Sequence, residues 1–178
     1  RPYQQIPFQY SLHVQKDANL EPLHYEFLGN GTDDPREALI QQMIQDCGTT
    51  GAILVYYIPF ERKRIEEMIR DFPSYKTGLE NIKSRLVDLL PIYKKHLLTE
   101  QTNVSASLKV VLPTFLPQLS YQDLDIQHGM ATMDVYKNLP TVKDENEIIQ
   151  RRKEMLAYCK LDTLAVLELY NLLYPLTE

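Results

Sequence analysis

Hydrophobic and polar residues alternate near the start of the chain, which is the pattern of a half-buried strand. In the segment QIPFQYSLHVQ (residues 5–15), the hydrophobic side carries Phe8, Tyr10, Leu12 and Val14. The segment PLHYEFLG (residues 22–29) predicts a second strand that pairs with the first as a hairpin. The dipeptide Asn30-Gly31 that follows it is a turn signal.

A spacing of 3.6 residues then replaces the alternation and predicts a helix in the segment DDPREALIQQMIQDCG. Asp33 or Asp34 is the expected cap, Pro35 lies in the first turn, and Gly48 ends the helix. The apolar stripe of this helix consists of Ala38, Leu39, Met43 and Ile44.

The rest of the chain predicts two further strands and several helices. The continuous apolar run GAILVYY (residues 51–57) predicts a strand buried on both faces, which leads into a helix with Pro59 near its start. A short strand is expected at residues 85–89. Further helices are expected from Pro91, from Ser107 to Pro117, in residues 130–139 and in residues 144–173. This order of elements predicts an α/β fold, and the length fits a single domain over residues 1–178.

Composition narrows the classes of function. The net charge of −5 argues against broad electrostatic adhesion to nucleic acid or to an anionic membrane, although it leaves a nucleic-acid enzyme possible. Cys47 and Cys159 form no disulfide framework and no metal-ligand spacing, which indicates a reducing, cytoplasmic setting. No apolar run reaches the roughly 18 residues of a membrane span. The chain has no signal-peptide pattern and no initiator Met, so we expect a fragment of a longer protein.

One carboxylate interrupts the apolar sequence of the last predicted helix. Asp162 lies one helical turn after Tyr158, among leucine, valine and alanine residues. A buried carboxylate is costly unless it is paired, hydrogen-bonded or bound to a metal. Partial exposure of Asp162, or an ion pair with a Lys or Arg, would also explain the pattern.

A second carboxylate lies at the start of the helix that follows residues 51–57. The helix dipole favours a Glu in a first turn, so Glu61 alone has an ordinary structural explanation. A strand–turn–helix unit, however, places Glu61 at the sheet edge where α/β proteins bind ligands, and the last helix would bring Asp162 and Tyr158 to the same edge. Carboxylate oxygens suit Mg²⁺ or Mn²⁺, and two such ions can promote phosphodiester cleavage. The sequence therefore predicts Glu61 and Asp162 as metal ligands, with Tyr158 orienting a water.

The same motifs resemble those of known nucleases. Tyr158-Cys-Lys-Leu-Asp162 is similar to the Tyr-x-x-x-Asp motif of DEDD-type 3′–5′ exonucleases with a ribonuclease-H-like fold. The segment Tyr57-Ile-Pro-Phe60-Glu61 resembles their Asn-x-x-Phe-Asp motif. Longer blocks resemble a bacterial domain-of-unknown-function family on that fold and cover nearly the whole chain: RPYQQIPFQYSLH, RLVDLLP, SLKVVLP, LSYQDLDIQ and YCKLDTLA. The resemblance implies a mixed sheet flanked by helices and catalytic roles for Asp162, Glu61 and Tyr158.

The chain departs from the nuclease pattern at two points. No Asp-x-Glu strand precedes Arg1, so this strand and its two acidic ligands are expected upstream in a longer protein. The strand would lie at the centre of the sheet. Without it, the chain could close the gap, borrow a strand from a neighbouring copy, or pair edge to edge as a dimer, and each of these would satisfy the exposed backbone groups. Tyr57 and Glu61 replace the motif's Asn and Asp. The Glu keeps the oxygen chemistry, whereas loss of the Asn weakens a substrate contact.

The resemblance implies a metal-dependent nuclease domain, a 3′–5′ exonuclease acting on DNA or RNA by two-metal hydrolysis with Mg²⁺ or Mn²⁺. We expect the chain alone to be inactive because half of the ligand set is missing. The predicted substrate-binding residues are Tyr57, Phe60, Asp88 and Lys109. A strand-end Asp at position 88 and a solvated Lys at position 109 are the structural alternatives. The functional alternative is a non-catalytic ribonuclease-H-like module that binds nucleic acid or a partner protein.

Overall fold

The computed structural model describes residues 5–17, 20–121, 124, 126 and 129–173. Within these ranges the strands are β1 Gln9–Val14, β2 Leu23–Leu28, β3 Ile53–Val55 and β4 Leu86–Asp88. The α-helices are α1 Arg36–Cys47, α2 Ile58–Asp71, α3 Lys76–Ser84, α4 Leu90–Lys95, α5 Glu100–Val104, α6 Leu108–Phe115, α7 Gly129–Asn138 and α8 Glu145–Leu173. Single 3₁₀ turns occur at Pro73–Tyr75 and Leu139–Thr141. The α/β class predicted from the sequence is confirmed.

The predicted hairpin is present, and its two faces contact different helices. Strands β1 and β2 pair antiparallel, with Tyr10 opposite Phe27 and His13 opposite His24. One face packs on α1, where the Tyr10 hydroxyl donates to Asp46 at 2.5 Å. The other face packs on α8. Successive side chains of a strand point to opposite faces, so one face of the hairpin contacts α1 and the other contacts α8.

Strand β3 is shorter and less buried than the sequence predicts. It pairs in parallel with β4, and its three residues are half-buried rather than enclosed on both faces. The reason is that β4 is its one strand neighbour among the described residues. Arg85 ties the pair to the end of α1, since its guanidinium donates to the carbonyls of Cys47 and Gly48 at 3.1 and 2.8 Å.

Helix α1 forms one core with α2 and α3. Leu39 and Ile40 are its buried residues, whereas Ala38 of the predicted stripe is exposed. The stripe is rotated because the helix packs against both the hairpin and α3. Gly78 permits the close approach of α3, since a Cβ there would lie 2.7 Å from the Ile44 side chain. Gly48 ends α1 with a φ of 55°, a left-handed value that favours glycine.

Helix α8 is the long closing helix that the sequence predicts, and it lies in a second core with α6 and α4. Its buried residues include Met155, Ala165 and Leu169. Tyr93 of α4 is fully buried there and donates its hydroxyl proton to the Leu169 carbonyl at 2.7 Å. Helix α8 also contacts β1, β2 and β3, so it spans both strand pairs.

The strands form two separate two-stranded sheets, one antiparallel and one parallel, rather than the single mixed sheet expected from the resemblance. Each described strand has one hydrogen-bonded neighbour, and β1 and β3 keep an edge without a partner from the described residues. Within the ranges given above, no helix combines the length and apolar character needed to cross a membrane.

Candidate functional site

Asp162 lies in α8 with its carboxylate hydrogen-bonded by two tyrosines. The Tyr121 hydroxyl donates to Asp162 Oδ1 at 2.6 Å, and the Tyr158 hydroxyl, one turn earlier in α8, also bonds to the carboxylate. Burial raises the pKa of Asp162, and the two phenols and the nearby charge of Lys109 oppose that shift. The predicted costly carboxylate is therefore stabilised by two phenol donors and by the charge of a nearby lysine.

Glu61 lies in the first turn of α2 and is close enough to Asp162 for the two charges to interact. Burial raises the pKa of Glu61, the Arg64 guanidinium lowers it, and the charge of Asp162 raises it further. Arg64 is directed mainly elsewhere: its guanidinium bonds to Gln5 and Glu67. The two carboxylates predicted from the sequence are therefore near enough for the charge of Asp162 to act on Glu61, and a shared functional site stays a prediction.

Lys109 belongs to the same site. It lies in the first turn of α6, with its Nζ atom 6.0 Å from the centre of the Tyr121 ring. Its charge lowers the pKa of Asp162. Lys109 is exposed, so a positive charge stands beside the carboxylate where an anionic substrate group would also reach it.

Asp88 has a structural task at the end of β4. Its two carboxylate oxygens accept hydrogen bonds from the backbone N–H groups of Tyr57, Ile58 and Leu90, at 2.9, 2.9 and 3.0 Å. These are the first amides of α2 and α4, which have no partners inside their helices. The geometry thus provides the strand-end role named as an alternative, and substrate binding by Asp88 stays a prediction.

Tyr57 and Phe60 form an exposed aromatic surface beside Glu61. Each is about half exposed, at 51%. Tyr57 has φ 83° and ψ 74°, and no other non-glycine residue of the described ranges has a positive φ. For a residue with a Cβ this conformation costs roughly 1–3 kcal/mol, and the Asp88 hydrogen bond holds the Tyr57 amide in it.

A cleft of about 380 Å³ opens next to Tyr57. It lies between the end of β3, α4 and the start of α6, and its lining includes Tyr56, Tyr57, Leu90, Lys94, Ala106 and Leu108. The Tyr56 hydroxyl donates to the Ala106 carbonyl at 2.7 Å and joins two of its walls. Glu61 and Lys109 lie in the first turns of α2 and α6. The same two helix N-termini also line the cleft, so the cleft adjoins the carboxylate site.

The donors at this site suit a hard divalent cation in part. Across the part of the chain that the structure describes, no three side chains of His, Cys, Asp or Glu form a metal-binding group. Glu61 and Asp162 nevertheless offer carboxylate oxygens, and burial raises the pKa of both groups. Mg²⁺ is commonly bound by one or two carboxylates, with water and substrate phosphate completing the coordination.

Sequence reasoning missed Tyr121 as a partner of Asp162. The two residues are 41 positions apart, and Tyr121 lies outside the described helices, so no periodicity connects them. The signal available was chemical: an apolar helix with one carboxylate requires donors from another segment.

The fold and the site define an α/β protein whose second helix and closing helix bring two carboxylates together beside an exposed aromatic surface. The chain belongs to the family described as Domain of unknown function (DUF2779), whose match covers residues 1–107. That match includes Tyr57, Glu61 and Asp88 and ends before Lys109 and Asp162. No curated protein matches the chain. No solved structure matches it.

Proposed function

We propose that this chain is most of a metal-dependent nuclease domain, a 3′–5′ exonuclease acting on DNA or RNA by phosphodiester hydrolysis. The observation that supports the proposal most strongly is the approach of Glu61 and Asp162, near enough for the charge of Asp162 to raise the pKa of Glu61. Two partly buried carboxylates whose charges repel each other are stabilised by a shared cation.

Different residues of the chain would bind the metal, orient its ligands and bind the substrate. Glu61 and Asp162 would hold Mg²⁺ or Mn²⁺, which supplies activation of a water and stabilisation of the leaving oxygen when bound. Tyr121 and Tyr158 orient the Asp162 carboxylate by donating to it. Lys109 would attract a substrate phosphate, because its exposed ammonium group lies on the same side as Asp162.

The ribonuclease-H-like fold is part of the same proposal. The element order (hairpin, α1, β3, α2, α3, β4) and the parallel pairing of β3 with β4 support it. A strand carrying Asp-x-Glu would pair with the edges of β1 and β3, join the two sheets, and supply the further acidic ligands.

A nuclease assay tests the proposal. The protein encoded by the full gene should cleave labelled single strands of DNA or RNA from the 3′ end with Mn²⁺. The chain alone should cleave little. Asp162→Asn should abolish cleavage, whereas Asp134→Asn, an exposed Asp of α7, should preserve it. Equal cleavage by the Asp162→Asn variant, or an upstream segment without Asp-x-Glu, would contradict the proposal.

One observation favours the second candidate, a non-catalytic module that binds nucleic acid or a partner protein. Among the described residues, no third side chain joins the two carboxylates as a metal ligand, and Tyr57 stands where the nuclease motif has Asn. Both features would suit a domain that still binds its partner but no longer catalyses a reaction. Strand binding without cleavage by the full-length protein would support this candidate over the nuclease.

A further inference from the structure

The residues that line the cleft beside Tyr57 would suit a flat ligand that carries an anionic group. Its apolar lining comes from Leu90, Ala106 and Leu108, its aromatic wall from Tyr57, and its cation from Lys94. Its volume of about 380 Å³ falls at the small end of the range of ligand sites. The hydrogen bond from Tyr56 to Ala106 fixes the separation of two walls.

Tyr57 itself points to binding rather than to folding. Its left-handed backbone would suit glycine, and its half-exposed ring adds little to the core. A strained residue with an exposed aromatic side chain contributes little to the stability of the fold. Such strain concentrates at ligand sites, where the surrounding structure holds the residue in place. Here Asp88 provides that hold through the Tyr57 and Ile58 amides.

We infer that this cleft binds one unpaired nucleotide of a nucleic-acid strand, with the base against the Tyr57 ring and an adjoining phosphate near Lys94. A base inside a duplex has both faces covered by its neighbours, so only an unpaired base can offer a face to this ring. The inference rests on the proposed function, because the cleft shares the starts of α2 and α6 with Glu61 and Lys109. The strand would thus pass from the cleft to the carboxylates.

Binding of labelled oligonucleotides in EDTA, followed by fluorescence anisotropy, tests the inference without metal or catalysis. The probes are an oligothymidine, an oligouridine, an abasic strand of equal length and a blunt duplex. We expect both single strands to bind more tightly than the abasic strand and the duplex. Equal binding of the oligothymidine and the abasic strand would overturn the inference, because the base would then contribute nothing.

Two variants distinguish the contribution of the Tyr57 ring to binding from its contribution to the stability of the fold. Tyr57→Gly and Tyr57→Ala should each weaken oligothymidine binding by about 5- to 150-fold. Tyr57→Gly should keep or raise the urea midpoint of unfolding, because glycine adopts the left-handed backbone without strain. Tyr25→Ala is the matched control, since Tyr25 is an exposed tyrosine of β2 outside the cleft. Unchanged oligothymidine binding by the folded Tyr57→Gly protein would overturn the inference.

The salt dependence of oligonucleotide binding distinguishes the contribution of Lys94 from that of the Tyr57 ring. Lys94→Gln should reduce the slope of log binding constant against log salt by about 0.7, the value for one phosphate contact with a single strand. Lys95→Gln makes the same charge change at a neighbouring exposed residue outside the lining and should leave the slope unchanged. Equal slopes for the Lys94 and Lys95 variants would contradict the assignment of Lys94.

The outcomes also distinguish this inference from the nuclease proposal. Base-dependent binding in EDTA together with an inactive full-length protein would support the cleft and contradict the nuclease. An active nuclease whose strand binding is insensitive to Tyr57→Gly would contradict the cleft and leave the nuclease supported.

Discussion

At the scale of single residues, the chemistry of this site depends on how one carboxylate is kept in a partly buried position. Asp162 receives two phenol hydrogen bonds and the field of one lysine, yet its pKa stays above the ordinary value because burial outweighs them. Glu61 experiences the same burial and the charge of Asp162 as well. The charge state of Asp162 therefore affects the pKa of Glu61.

Replacing Asp162 should lower the pKa of Glu61. Asp162→Asn removes the repelling charge, so Glu61 should ionise at lower pH, whereas Arg64→Gln removes the stabilising charge and should raise its pKa. Carbon-detected NMR of the Glu61 carboxyl group across a pH series measures both shifts. Asp134→Asn should leave the titration unchanged, and shifts of the same sign in the Asp162 and Arg64 variants would contradict the coupling.

At the scale of elements, one aspartate joins two helix starts to a strand end. Asp88 is the last residue of β4, and its carboxylate accepts from the first amides of α2 and α4. Asp88→Ala should therefore destabilise the protein by roughly 1–3 kcal/mol, as measured by urea unfolding, because three amides lose their acceptor. Asp88→Asn keeps one acceptor oxygen and should cost less. Equal stability of the wild type and the Asp88→Ala variant would contradict the capping role.

The hairpin is joined to α8 by a chain of hydrogen-bonded side chains. His13 Nδ1 lies 2.9 Å from Thr163 Oγ1, which lies 2.8 Å from Ser11 Oγ, which lies 2.9 Å from His24 Nε2. The two imidazole rings are 4.6 Å apart. Burial, His24 and Lys160 lower the pKa of His13 to about 4, and burial and Lys160 lower the pKa of His24 against the opposing charge of Glu26.

Stability should fall as the solution is acidified through the range of this histidine pair. Between about pH 6.5 and pH 4 the unfolded chain binds more protons at these histidines than the folded one, so the free energy of unfolding decreases as pH falls. The loss should be roughly 1–3 kcal/mol smaller in His13→Asn, measured by urea unfolding at each pH. His96→Asn, at the exposed end of α4, is the control. Parallel curves for the wild type and His13→Asn would contradict this account.

The elements with a long or regular pattern were predictable, whereas partners distant in sequence were not. The hairpin, α2 and α8 follow from alternation, a Pro near a helix start and a long apolar run. Helices α3 and α5 were missed, and β3 was predicted too long because a continuous apolar run does not reveal how many neighbours a strand has. Glu61 and Asp162 could be singled out as carboxylates in unusual positions, but Tyr121 could not, because tertiary packing alone brings it to Asp162.

At the scale of the whole molecule, the edges of β1 and β3 lack strand partners among the described residues. Backbone groups on such edges pair with another strand wherever one is available. The edge-to-edge dimer predicted from the sequence should appear in light scattering as a mass that rises with concentration. A monomer at all concentrations, with amides of residues 51–57 protected from exchange, would contradict edge pairing.

The central claim, that Glu61 and Asp162 share one cation, is tested most directly by the melting temperature during a Mn²⁺ titration. A cation bound to the folded state must raise the melting temperature. The rise should become smaller as the solution is acidified, because protons compete with the cation for both carboxylates and burial raises the pKa of each. We predict that Glu61→Gln and Asp162→Asn each abolish the rise and that Asp134→Asn retains it. A rise that survives in both carboxylate variants, or no rise in the wild type, would contradict the claim.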